Sequence, residues 1–160
     1  MGYKHLPDMT ETELLQLQAS VIDELKARGV VRTKNNPLGD YTEWLVAKAL
    51  GLELATNSAA GYDATDADGV RYQIKGRRIT PENQSRQLSA IRNLDKNDFD
   101  LLAAVVFDEK YSIIDAVIIP HELVGEYASY RKHVNAHILH VRGAILEDPR
   151  ARDFRDRISV

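Results

Sequence analysis

Asp63, Gln73 and Lys75 are the residues whose types and spacing could carry out chemistry in this sequence. A carboxylate and an amide offer the hard oxygen atoms that Mg²⁺ or Mn²⁺ prefers, and an ammonium group can orient a water molecule and stabilise a phosphate. Such a set suits hydrolysis of a phosphodiester bond, provided that the three side chains lie together. The elements that carry them must therefore present them on one surface.

A β-hairpin is predicted to carry these residues. Gly61–Asp66 and Val70–Lys75 are two short runs of alternating polarity, separated by a turn that contains Gly69. Because side chains alternate along a strand, the second run has one apolar face and one polar face. The apolar face comprises Val70, Tyr72 and Ile74, and the polar face comprises Arg71, Gln73, Lys75 and Arg77.

The length of the turn decides where Asp63 points. A two-residue turn would direct Asp63 to the apolar face, opposite Ile74. A three-residue loop, Ala67–Gly69, would place it opposite Gln73 on the polar face. We expect the longer loop, because Gly69 suits the left-handed position that ends such loops and because burying a lone carboxylate is costly.

An Asp on one strand followed by Gln-x-Lys on the next resembles the PD-(D/E)XK nuclease superfamily, some branches of which have Gln in place of the second acid. The likeness is nearest to the Mrr-type restriction endonucleases and the archaeal Holliday-junction resolvases, where Gly-x-Asp precedes (Glu/Gln)-x-Lys. Here the two motifs are Gly61-Tyr62-Asp63 and Gln73-Ile74-Lys75. The resemblance covers residues 39–107 and does not extend to the C-terminal third.

The resemblance implies an α/β (α+β) fold of the restriction-endonuclease type, with a mixed central sheet flanked by helices, and a metal-dependent endonuclease activity. Asp63 would anchor Mg²⁺ or Mn²⁺, joined by the backbone carbonyl of Ile74 and by Glu43. Lys75 would position or activate water and stabilise the phosphate. Gln73 departs from the acidic pattern and supplies no charge, so it lowers the metal affinity that we expect.

Glu43 lies on a predicted helix that begins at Asp40, its N-cap, and ends at Gly51. Apolar residues surround nearly the whole circumference of this helix, which indicates a buried helix. Glu43 could be a surface residue of the first turn, where negative charge suits the helix dipole. It could instead reach the polar face of the hairpin and bind the metal, as the resemblance implies.

Basic residues are concentrated around the hairpin. Between Arg71 and Leu94 there are six bases and one acid, whereas the whole chain has a net charge of −3. A local excess of positive charge beside a candidate site fits a polyanionic substrate. Arg71, Arg77 and Arg78 are the predicted nucleic-acid contacts, and the alternative is a solvated row of surface arginines.

The composition bounds the class of protein. A chain of 160 residues with 44% hydrophobic and 28% charged residues is expected to form one globular domain. Its parts would be an N-terminal helix over 10–28, a nuclease-like core over about 39–120 and a C-terminal extension over 121–160. The absence of Cys excludes thiolate chemistry and disulfides. With no apolar run that could span a bilayer and no secretory signal, we expect a cytoplasmic protein without a membrane partner.

Besides the helix that begins at Asp40, two helices and a strand are predicted outside the hairpin in the first 93 residues. A capping box at Thr10 and Glu13 predicts an amphipathic helix that packs on the body and ends at Gly29. Leu52–Asn57 is predicted to be the first strand. Ser85–Asn93 is ambiguous and is interpreted as a short helix with Leu88 and Ile91 directed inward.

The next elements complete the predicted core. The apolar run Phe99–Phe107 predicts a central strand covered on both faces, followed by a neighbouring antiparallel strand over Tyr111–Ile119. Pro120 should open a helix that reaches about Tyr130. Its inward residues would be Leu123, Val124 and Tyr127.

The C-terminal third carries His133, His137 and His140, which invite a zinc interpretation if they lie on a helix. Ala136–Val141 alternates like a strand, however, and a strand would separate these side chains. Arg150–Arg157 alternates Arg with Asp, which predicts a solvated terminal helix with local ion pairs.

The sequence therefore predicts a metal-dependent endonuclease that acts on nucleic acid, with DNA the expected substrate and a homodimer compatible with it. Two other interpretations stay open. A catalytically silent nucleic-acid-binding or interaction module on the same fold would account for the missing second acid. An unrelated α/β binding protein would need Asp63 to face away from Lys75. Asp63 and Lys75 could also have no catalytic role and form a cross-strand salt bridge or a solvated pair.

Overall fold

The computed structural model describes residues 4–56 and 61–159. Contacts divide the chain between Tyr41 and Thr42 into two compact units. The single domain expected from the length therefore stays a prediction, and the two units are described separately. The end of the predicted first strand, Asn57, and the segment that leads into the hairpin, 58–60, lie outside the described residues.

The first unit contains a 3₁₀ helix, Leu6–Asp8, and the helix α1, Glu11–Ala27. The capping box is confirmed: the Glu13 N–H donates to Thr10 Oγ1 at 3.2 Å, and Glu13 accepts from the Thr10 N–H at 2.9 Å. Gly29 follows in the left-handed region with φ of 73°. All residues of α1 are described and none is buried, and the packing of this helix on the body stays a prediction.

The helix α2, Leu38–Leu50, begins two residues before the predicted N-cap. Asn36 Oδ1 accepts from the Leu38 N–H at 3.1 Å. Asp40 lies in the first turn, and its carboxylate accepts hydrogen bonds from the backbone N–H groups of Arg32 and Thr33, each at 3.0 Å. The prediction of Asp40 as N-cap is therefore wrong, because this carboxylate organises the preceding loop. Gly51, with φ of 66°, ends the helix as expected.

The second unit is built on a mixed six-stranded sheet with the order β1-β2-β3-β4-β5-β8. Only β3 and β4 are parallel among the pairs described, and the other neighbours are antiparallel. The strands of this sheet are β1 Glu53–Leu54, β2 Ala64–Thr65, β3 Arg71–Arg78, β4 Leu101–Phe107, β5 Ile113–Pro120 and β8 Arg152–Asp153. Two further strands, β6 Ser129–Arg131 and β7 Ala136–Ile138, pair with each other. The coarse prediction of an α+β fold with a mixed sheet is confirmed.

The strand β4 lies at the centre of the sheet, as its continuous apolar run predicted. Every residue from Leu102 to Phe107 is buried. One face of β4 belongs to the main hydrophobic cluster through Leu102, Ala104 and Val106. The antiparallel partner β5 is also confirmed, with Ala104 opposite Val117.

The crossover from β3 to β4 differs from the prediction. Residues 85–93 form no α-helix, and a short 3₁₀ helix, Leu94–Lys96, follows them. The segment is extended, with isolated bridges from Gln87 to His140 and from Ile91 to His137. Leu88 and Ile91 are buried as expected, but the long-range pairing decides the backbone conformation.

The C-terminal part contains the helix α3, His121–Tyr127, the hairpin β6–β7 and the short helix α4, Ala144–Glu147. Leu123 and Val124 are buried, whereas Tyr127 is 38% exposed, so its predicted inward position is wrong. The predicted terminal helix is also wrong, because β8 pairs with the edge of β5 there. The local ion pairs are confirmed, for example between Arg155 and Asp153 at 2.6 Å.

Within the described residues, no helix combines the length and apolarity needed to cross a membrane.

Candidate active site

The turn between β2 and β3 has the predicted three-residue form. Asp66 N–H donates to the Val70 carbonyl at 3.1 Å, and Gly69 adopts φ of 80° at the end of the loop. Asp66 Oδ1 accepts from the N–H groups of Asp68 and Val70 at 2.9 and 3.0 Å. Asp66 is therefore a turn residue, and the register that follows pairs Ala64 with Tyr72.

Asp63 is half-buried and lies immediately before β2. Continuing the register of β2 and β3 by one residue places Asp63 opposite Gln73. Its backbone N–H donates to the Tyr72 carbonyl and its carbonyl accepts from the Ala55 N–H, both at 2.8 Å. One carboxylate oxygen accepts from the Ile74 N–H at 2.7 Å. These bonds hold the Asp63 carboxylate against the backbone of β3 between Gln73 and Lys75.

Lys75 is held on the polar face of β3. Its Nζ donates to Ser89 Oγ at 2.7 Å and to the Ala90 carbonyl at 3.4 Å. Paired residues of neighbouring strands project to the same face, so Lys75 lies beside the buried Ala104 of β4. This burial lowers the pKa of Lys75, and the negative charge of Asp63 opposes the shift. The charges of Asp63 and Lys75 therefore interact.

Gln73 and Ile74 complete the β3 part of the candidate site. Gln73 is half-buried and, by alternation, projects to the same face as Lys75. The Ile74 side chain is only 6% exposed and belongs to the opposite face. Its backbone nevertheless lies next to Asp63, because its N–H binds that carboxylate. A metal contact through the Ile74 carbonyl stays a prediction.

Glu43 is half-buried on α2. The preceding residue, Thr42, is fully buried, and a Cβ added to Gly76 would lie 2.1 Å from Thr42 Oγ1. Thus α2 crosses the face of β3 to which Gly76 belongs, which is opposite to the face of Lys75. The role of Glu43 as a metal ligand stays a prediction.

The three arginines predicted to contact nucleic acid are each bonded within the chain. Arg71 binds the Asp100 carboxylate through Nη2 at 3.1 Å, and this bond raises the pKa of Arg71. Arg77 Nε donates to the Ser85 carbonyl at 2.7 Å. Arg78 donates to the Glu109 carbonyl and stacks on Tyr111 with 5.0 Å between guanidinium carbon and ring centroid. These bonds occupy part of the donor capacity of each guanidinium group, and contact of the three arginines with nucleic acid stays a prediction.

The three histidines of the C-terminal third lie on different elements. His137 belongs to β7 and contacts the Tyr130 ring, with 5.4 Å between ring centroids. His133 lies in a 3₁₀ turn and His140 follows β7. Among residues 4–56 and 61–159, no three His, Asp or Glu side chains are grouped so that they could hold a metal. The strand-like alternation of Ala136–Ile138 is confirmed.

The sequence interpretation did not identify the segment 86–91 as part of the site. It contacts Lys75 through Ser89 and Ala90. The residue that follows β7 holds it in place, because the Leu88 N–H donates to the Leu139 carbonyl at 2.9 Å. The spacing of Leu88 and Ile91 is helical, so no local signal indicated an extended segment. Only its pairing with the C-terminal part shows its role.

Comparisons with known proteins add no assignment to this geometry. No family model matches the chain, and no match was found among the curated proteins.

Proposed function

We propose that the protein is a metal-dependent endonuclease of the PD-(D/E)XK type that hydrolyses phosphodiester bonds in nucleic acid, with DNA as the expected substrate. The observation that carries this proposal is the three-residue turn between β2 and β3. Its register puts the carboxylate of Asp63 beside the β3 residues Gln73 and Lys75. The element order of a helix, three antiparallel strands and a parallel fourth strand supports the same fold type, although the crossover lacks the helix that this type led us to expect.

The donor set fits a divalent cation of the Mg²⁺ or Mn²⁺ class by its chemistry. Asp63 and Gln73 present hard oxygen atoms, and such cations are commonly held by one or two carboxylates together with substrate phosphates. Of these two residues, Asp63 supplies a negative charge and Gln73 supplies none, so we expect weak binding of the metal before substrate arrives. When bound, the cation would neutralise charge that develops on the phosphate.

The chain's own residues would orient the substrate. Asp63 is fixed by its bonds to β3, so it offers a rigid anchor rather than a mobile side chain. Lys75 is positioned by Ser89 and Ala90, which leaves its remaining N–H donor capacity for a phosphate oxygen or the attacking water. Preorganised donors of this kind contribute to rate because they need no reorganisation during the reaction.

Cleavage assays test the proposal directly. The protein would be incubated in Mn²⁺ with four substrates: supercoiled plasmid, linear duplex, single-stranded DNA and branched DNA. Parallel reactions would contain EDTA or one of the variants Asp63→Ala and Lys75→Ala. We expect cleavage that EDTA abolishes and that each variant reduces by at least about 100-fold, as expected for loss of a metal anchor or a charge-stabilising group. Cleavage that survives in both variants would exclude this site.

A catalytically silent nucleic-acid-binding module is the second candidate. The observation that favours it is Gln73, which leaves a single negative charge where the nuclease pattern usually has two. This function predicts salt-sensitive binding of DNA without cleavage of any substrate in Mn²⁺. Restoring the acid by Gln73→Glu separates the two functions: a nuclease with low metal affinity should gain activity at low Mg²⁺, whereas a silent module should gain none.

A further inference from the structure

We propose that the hairpin β6–β7, together with Arg142, binds the phosphate backbone of nucleic acid and presents it to Lys75. This surface is called the basic hairpin below and comprises Ser129–Ile138 and Arg142. The inference rests on the proposed function for the class of partner, and it deepens that function by naming the surface that holds the substrate.

The charge of the basic hairpin is opposite to that of the protein. Residues 129–142 contain Arg131, Lys132 and Arg142 and no Asp or Glu, although the chain carries a net charge of −3. All three side chains are exposed. In the part of the chain that the structure describes, none of them forms an ion pair or a side-chain hydrogen bond. They therefore remain available to a polyanion, unlike the three arginines of β3.

The basic hairpin lies directly beside the wall of the candidate site. The backbone groups of Ile91 and His137 exchange two hydrogen bonds, of 2.9 and 2.8 Å. The same segment contacts the Lys75 ammonium group through Ser89 and Ala90. Within the hairpin, His137 pairs with Tyr130. Because neighbouring strands lie about 4.8 Å apart, β6 lies about 10 Å from the segment whose Ser89 and Ala90 contact Lys75.

The tip of the hairpin is ordered by its own contacts. Tyr130 Oη donates to Asn135 Oδ1 at 2.8 Å, and Asn135 adopts the left-handed conformation with φ of 47° that closes the turn. The Tyr130 and His137 rings pack against each other on one face. Arg131 and Lys132 therefore project from a fixed turn, so the backbone of the turn loses little conformational entropy when they contact phosphates.

Binding without cleavage tests the inference. Fluorescence anisotropy in EDTA would follow a labelled 30-nucleotide single strand and a labelled 30-base-pair duplex as the full chain is added at several salt concentrations. We expect the double variant Arg131→Gln/Lys132→Gln to bind both probes about tenfold more weakly at low salt. The slope of log affinity against log salt should fall by about 1.8 for duplex, since each phosphate contact contributes about 0.9.

A charge-matched variant provides the control. Lys26→Gln/Lys110→Gln removes the same charge from two exposed side chains elsewhere and should leave the salt slope unchanged. Equal effects of the two double variants, or no binding of either probe by the unmodified chain, would overturn the inference. Binding that depends on the hairpin, in a protein that cleaves nothing in Mn²⁺, would support the hairpin and reject the nuclease. Cleavage by a protein whose binding does not depend on the hairpin would support the nuclease and reject the role of the hairpin.

Discussion

At the scale of single residues, the environment of Lys75 decides what the candidate site can do. An amine on a surface strand is usually solvated, but Lys75 is covered by the segment 86–91 and lies beside Ala104 of the core. Ser89 Oγ and the Ala90 carbonyl each accept a hydrogen bond from its Nζ. Bonds to a charged group are stronger than neutral ones, so these two acceptors fix where the ammonium group points.

The variant Ser89→Ala tests this positioning. Loss of the hydroxyl acceptor should reduce cleavage by about tenfold, which corresponds to the lower end of the range for a hydrogen bond to a charged group. Ser89→Thr keeps the hydroxyl and should restore activity. The order parameter of the ¹³C-labelled Lys75 Cε, measured by NMR, should fall in Ser89→Ala and recover in Ser89→Thr. An unchanged order parameter would show that Ser89 does not hold Lys75.

At the scale of elements, the contact of α2 with β3 determines which face of the hairpin stays open. Thr42 is fully buried against Gly76, where no side chain is present. This close approach covers the face of β3 opposite to Lys75. The buried side chains of Tyr72 and Ile74 belong to that covered face. The polar residues therefore occupy the one face of β3 that α2 does not cover.

The variant Gly76→Ala should destabilise the protein by about 1–3 kcal/mol, the usual cost of overpacking, because its Cβ would lie 2.1 Å from Thr42 Oγ1. Urea denaturation measures the change. In the background Thr42→Ala, the cost of Gly76→Ala should be smaller. Gly125→Ala on α3 is the matched control: its Cβ meets no atom within 4 Å, so we expect a slight gain of stability. Equal effects at both glycines would show that the contact with Thr42 is unimportant.

At the scale of the second unit, the C-terminal third braces the sheet and the site. The strand β8 adds to the edge of β5, and Phe154 N–H donates to the Ala116 carbonyl at 2.9 Å. Arg86 Nη1 binds Asp115 Oδ2 at 2.5 Å, which joins the segment 86–91 to β5. Arg150 binds Glu126 of α3 at 2.7 Å. Removal of this third would therefore disturb the wall of the site as well as the edge of the sheet.

The Asp148–Arg150 pair makes part of the stability depend on pH. Side-chain and backbone hydrogen bonds from Arg150 lower the pKa of Asp148 from 3.8 to about 2. A lowered pKa in the folded state stabilises the protein above pH 3.8, and this contribution disappears as the pH falls towards 2. The urea midpoints of the wild type and Asp148→Asn should therefore differ at pH 6 and converge as the pH falls to about 2.

Salt provides the control for this prediction, because the Arg150 side chain is 45% exposed and screening by salt should reduce the difference at pH 6. A difference that stays constant from pH 6 down to about pH 2 would mean that the Asp148 charge does not contribute. The measurement requires no catalytic activity, so it is independent of the proposed function.

The sequence by itself determined the features that depend on neighbouring residues. The turn type, the register of Asp63, the capping box at Thr10 and the buried strand around Leu102 were all predictable. Each follows from the chemistry of a few adjacent side chains or from a regular apolar pattern, which local backbone geometry translates directly into structure. The assignment of Glu43 as a ligand went beyond such local patterns and stays a prediction.

Features that depend on distant partners could be established only from the tertiary structure. Ser85–Asn93 has a helical pattern, yet pairing with residues 137–141 holds it extended, and Arg150–Arg157 likewise forms an edge strand instead of a helix. Arg71, Arg77 and Arg78 looked available from sequence, but backbone carbonyls and Asp100 engage them. Such partners come from elements far along the chain, and a hydrogen bond to a distant group outweighs the small free energies of local conformational preference.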